Sequence, residues 1–97
     1  MAICNYSLAK IILDISDSDR RKDFKNLITY LETRAFPYYE NKEENPEKRE
    51  LHYLYCDSVV LTTQFPEEAI IKIVSPRPSS RDYVKSKIEN ILDRVTV

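Results

Sequence analysis

The residues best able to act as a nucleophile, a base or a soft metal ligand are one histidine, His52, and two cysteines, Cys4 and Cys56. His52 and Cys56 are four residues apart, so in an extended strand they share a face. The strand rise then separates them by about 13 Å, too far for the direct hydrogen bond that activates a Cys–His nucleophile. No second histidine is present to complete a zinc site. Cys4 and Cys56 fit no C-x-x-C spacing and are expected to be free thiols acting as small buried hydrophobes.

A second chemistry would use carboxylates. Asp14, Asp17 and Asp19 gather where the first apolar run ends, and such oxygens suit a hard cation such as Mg²⁺. The same run, Ser16-Asp17-Ser18-Asp19, is also what a helix start requires. Short oxygen-bearing side chains accept from free first-turn amides, and negative charge suits the N-terminal end of the helix dipole. Capping accounts for every residue there, and we expect no catalytic residue, no metal and no cofactor.

A third chemistry is anion binding. Arg77, Arg81 and Lys85 surround the start of a C-terminal helix, with Arg81 and Lys85 one turn apart and Ser79 and Ser80 as added donors. A local basic patch of this kind could hold a phosphate or a nucleic acid. Asp82 and Glu89 lie among these residues, and the formal net charge is −1 with a pI near 5.8. No global positive field draws the chain to a polyanion.

The seven tyrosines point to surface contact instead. Tyr38, Tyr39, Tyr53 and Tyr55 carry large apolar rings with polar tips, the type enriched where proteins meet. The chain contains no glycine. That excludes the Walker A loop, the dinucleotide fingerprint and the nucleophile elbow, which need backbone without a Cβ near a phosphate or at positive φ.

The elements that would position these groups follow from periodicity. Leu8 to Ile15 reads as a strand with Ala9, Ile11, Leu13 and Ile15 on its core side and a mixed opposite face. A helix is expected from about Asp19 to Arg34, with Phe24, Leu27, Ile28, Leu31 and Ala35 as its buried stripe and Pro37 as its stop. The charged stretch from Tyr38 to Glu50 is expected to be a mobile loop that orders on contact with a partner. Leu51 to Phe65 is strand-rich, either one long bent strand, the favoured reading, or two joined at Cys56-Asp57-Ser58. Ala69 to Val74 is another strand. Ser75 to Ser80 is expected to be a stiff connector before a helix from about Arg81 to Arg94, whose stripe is Val84, Ile88, Ile91, Leu92 and Val95.

The order β-α-β-β-α, or β-α-β-β-β-α, predicts one small α+β domain over residues 1–97, a two-layer sandwich of mainly antiparallel sheet with two helices on one face. It approaches a truncated ferredoxin-like arrangement without a clear final strand. No N-terminal export signal and no apolar run of about 20 residues is evident, so a cytoplasmic protein that does not engage a membrane is expected. We expect a non-enzymatic protein–protein interaction or regulatory module, acting through a sheet face or edge near Tyr53 and Tyr55, as a homodimer or with another protein. The alternative is a small nucleic-acid-binding protein using Arg77, Arg81 and Lys85.

Overall fold

The computed structural model describes residues 6–41 and 48–93; the side chains of Tyr39, Glu40, Asn41 and Asp93 lie outside that description. Seven elements follow in order: β1 (Ser7–Asp14), α1 (Ser18–Arg34), β2 (Phe36–Asn41), β3 (Arg49–Tyr55), β4 (Ser58–Gln64), β5 (Glu68–Ser75) and α2 (Pro78–Asp93). The strands form one five-stranded sheet in the order β1-β5-β4-β3-β2, every neighbouring pair antiparallel. β1 and β2 therefore run parallel at opposite edges, and the βαβ unit that α1 closes is split by three strands. The result is the expected two-layer α+β sandwich.

Its strand count exceeds the expectation. Residues 38–41 are not loop but part of β2, paired with β3 from Phe36↔Leu54 to Asn41↔Glu50. The expected mobile loop otherwise falls on 42–47, outside the described residues. Pro37 lies in this strand, beside a register shift between Pro37 and Tyr39. Proline has no N–H for a ladder, and an edge strand is where that omission is tolerated. Residues 51–65 are also not one bent strand. Tyr55↔Ser58 pairing closes a hairpin with only Cys56 and Asp57 at its tip. Cys56 has φ 58° and is the only non-glycine residue with positive φ among the described residues. A positive φ at the first central position alone is the type II′ pattern that glycine usually supplies.

α1 begins where its capping residues predict. Asp17 accepts from the Asp19 amide at 2.8 Å, and the chain leaves the helix at Ala35, whose N–H still reaches Leu31 O. α2 begins earlier than expected. Pro78 is its first residue, because proline's fixed φ and missing N–H suit the first helical position.

The core lies between the helices and one face of the sheet. Leu13, Ile15, Leu51, Tyr53, Tyr55, Val60, Ala69, Ile71 and Ile73 meet Phe24, Leu27 and Leu31 of α1 and Val84, Ile88 and Leu92 of α2. Ala9, Ile11, Ile28, Ala35 and Ile91 pack at its margin. Val95 of the expected stripe lies outside the described residues. No helix among the described residues is long and apolar enough to cross a membrane.

Candidate interaction surface

The alternation of each strand sends one set of side chains into the core and the other to the sheet's second face, which no helix among the described residues covers. Tyr53 and Tyr55 belong to the first set. They are 1 % and 6 % exposed, so they cannot form an accessible surface near the sheet face as the sequence suggested. For Tyr55 the physical reason is visible at its tip. Tyr55 Oη lies 2.6 Å from Tyr30 Oη on α1, with the rings edge-to-face at 5.9 Å. A buried hydroxyl is tolerated when it is hydrogen-bonded. Burial, then the Tyr30 hydroxyl, raises the Tyr55 phenol above the usual tyrosine range.

The second face is built by the ladder registers. Leu8 pairs with Val74, Val74 with Val59, Val59 with Leu54, and Leu54 with Phe36. Five apolar side chains thus cross all five strands in one unbroken row. Leu8 and Phe36, at its ends, are 66 % and 67 % exposed. The next row places Lys10, Lys72, Leu61 and His52 side by side, and the third Ile12, Ile70, Thr63 and Glu50. Tyr38 extends the second row, its ring edge-to-face with His52 at 5.6 Å. It is the one candidate tyrosine whose described side chain is exposed. Tyr39 pairs with His52 in the backbone register, and its side chain lies outside the described residues.

Charge on this face stands away from its middle strand. β4 contributes only Val59, Leu61 and Thr63, whereas Lys10↔Lys72 and Asp14↔Glu68 are like-charged pairs between β1 and β5. Like charges directly opposite are destabilising in a sheet, and neither lysine forms an ion pair among the described residues. A depression between these strands is lined by Leu8, Ala9, Lys10, Lys72 and Val74.

The other sequence candidates separate. Asp14 takes the amide and hydroxyl of Ser16 at 3.0 and 2.6 Å, which lowers its carboxyl below the usual range. Asp17 caps α1, so these carboxylates serve the helix entry. No group of three metal-ligating side chains gathers among the described residues. Cys56 is not buried as expected but exposed at the hairpin tip, where the two-residue turn carries it out of the sheet; Cys4 lies outside the described residues. Of the basic trio, Arg77 lies 3.5 Å from Asp57 and Arg81 3.0 Å from Asp82, so two of the three cations already face carboxylates.

The sequence reading placed Leu8 on the mixed face of its strand, half exposed or at an interface, but missed Val74, Val59, Leu54 and Phe36. A signal for them was present: Val59-Val60-Leu61 and Ala69-Ile70-Ile71 are apolar at both parities, the mark of strands covered on both faces. Compared with protein-family models, curated proteins and solved structures, the chain matches none.

Proposed function

We propose that this chain is a non-catalytic interaction module whose working part is the open sheet face and whose occupant is a second copy of the chain. The observation that carries this reading is the apolar row Leu8–Val74–Val59–Leu54–Phe36. Five strands at about 4.8 Å spacing and about seven residues per strand give roughly 600 Å² in projection. With side-chain relief this approaches the ~800 Å² per partner of a standard stable interface. Contiguous apolar patches of several hundred Å² mark interaction sites on soluble proteins. A neutral middle strand with charges on the flanking strands also has the composition of an interface core and its rim.

Sedimentation equilibrium tests the reading. The wild type is expected to dimerise. Leu54→Asp, which places a carboxylate in the apolar row at an exposed position, is expected to give a folded monomer with an unchanged far-UV circular dichroism spectrum. A wild type that stays monomeric at high concentration would end the proposal. The nucleic-acid alternative has less support, because Asp57 and Asp82 already engage Arg77 and Arg81. A gel shift at low salt, where phosphate-driven binding is strongest, would restore it.

A further inference from the structure

We infer that the two copies pack face to face about a two-fold axis running along β4, so that the apolar row of each lies on the apolar row of the other. This rests on the self-association proposed above and adds its geometry.

A closed dimer makes the contact isologous, so the patch must be complementary to itself. For two stacked sheets, the axis lies between them, either across the strands or along them. The lateral alignment of the rows decides between these.

An axis across the strands reverses the order of the rows. Centred on the second row, it stacks Lys10 and Lys72 on their own copies. Four ammonium groups then meet in one desolvated place. That juxtaposition costs free energy. Centred on the first or third row instead, it pushes much of one sheet past the end of the other and forfeits area.

An axis along β4 keeps each row at its own level and exchanges left for right. Leu8 then faces Phe36 of the partner subunit, Val74 faces the partner's Leu54, and Val59 meets the partner's Val59. Leu61 meets the partner's Leu61. The β1–β5 side, whose lysines form no ion pair among the described residues, lies over the partner's β3–β2 side. Lys72 comes opposite the partner's His52, one step along the strand from the partner's Glu50. In the same way Glu68 comes opposite Lys48 of the partner subunit. Lys48 already lies 3.6 Å from Glu50 in its own chain, so the ends of the interface join opposite charges from both copies. The like-charged pair Lys10↔Lys72, unfavourable in one sheet alone, gains an acidic neighbour. The whole face is used, and the usual ~30° angle between aligned sheets leaves its centre on β4.

Single-cysteine cross-linking tests the axis. Stacked sheets lie about 10 Å apart, beyond the reach of a disulfide, so the probe is a bifunctional maleimide of about that span. Single cysteines are placed in a Cys4→Ser, Cys56→Ser background. Leu61→Cys is expected to cross-link to its own copy. Leu8→Cys alone is expected to do so at least about tenfold more slowly, because its copies stand four strands, about 19 Å, apart. Leu8→Cys combined with Phe36→Cys is expected to restore efficient cross-linking. Dimers in which Lys72→Cys cross-links to its own copy as fast as Leu61→Cys would overturn the axis and leave the face as the interface. Dimers in which no position on this face cross-links, and which survive Leu54→Asp, would overturn both readings in favour of another surface, the open edge of β1 included.

Discussion

The carboxylate of Asp57, in the β3–β4 turn, accepts a 2.7 Å hydrogen bond from the hydroxyl of Ser80 in the first turn of α2. α2 has no acidic residue of its own in that turn, so the hairpin tip supplies the negative charge its N-terminus favours. Arg77, at the helix cap, lies 3.5 Å from the same carboxylate oxygen.

Asp57→Asn removes this charge and is expected to lower the melting temperature at neutral pH. The Ser80 hydrogen bond is the largest influence holding the Asp57 carboxyl below its ordinary value of 3.8. A lowered folded value means the stabilisation is present above pH 3.8 and is lost as pH falls through that lower value. The difference between wild type and variant should therefore disappear in thermal melts carried out at strongly acidic pH. A difference that persists there would deny the charge its role.

Ser75, Ser58 and Asp57 form a relay from the core to this turn. Ser58 Oγ lies 2.6 Å from Ser75 Oγ and donates to Asp57 Oδ1 at 3.1 Å, which leaves Ser75 as donor to Ser58. Ser58→Ala strands a buried hydroxyl and is expected to cost about 1–3 kcal/mol. Adding Ser75→Ala to it should cost little more, because the stranded group is gone. Urea denaturation of both single variants and the double variant measures this coupling.

Tyr55→Phe leaves the Tyr30 hydroxyl without its partner and is expected to cost about 1 kcal/mol at neutral pH. The raised Tyr55 phenol also sets an alkaline limit. Its contribution is complete below the ordinary value of 10.0 and is lost as pH rises toward the higher folded value. Ultraviolet absorbance during an alkaline titration should show a late step, in which Tyr55 ionises as the protein unfolds. That late step should be smaller by one tyrosine in Tyr55→Phe.

Cys56→Gly is expected to stabilise the fold by about 1 kcal/mol, because glycine adopts positive φ without the Cβ clash. Cys56→Val is expected to destabilise it, since a branched Cβ worsens that clash. Chemical denaturation of the pair provides the check. Equal midpoints would mean the turn relaxes to another conformation.

The layers and most of the core were legible because their signals are local. Phe24, Leu27 and Leu31 recur at helical spacing, and Ala9, Ile11, Leu13 and Ile15 keep one face of the first strand apolar. β2 was hidden because Pro37 and the charged residues after Tyr39 oppose strand propensity, and pairing with β3 overrides it. The β3–β4 hairpin stood only as the second reading because its turn uses cysteine where glycine is the usual marker. Tyr53 and Tyr55 were placed on the surface because their hydroxyls suggest water, whereas Tyr55 finds Tyr30, a residue on another element. The open face depends on which residues stand opposite one another across five strands. No single segment contains that information, although the double-sided apolar runs of β4 and β5 hint at it.

β2 to β5 form an uninterrupted meander, while β1 joins it at the far edge, with Ser7 opposite Ser75 and Asp14 opposite Glu68. The meander can zip up through neighbours in the chain. β1 must return across nearly the whole described length, so its docking bears the largest loop-closure entropy. In kinetic terms the sheet has a latch, and β1 is expected to dock last and to release first. Amide hydrogens shared between β1 and β5 should exchange sooner than those between β3 and β4.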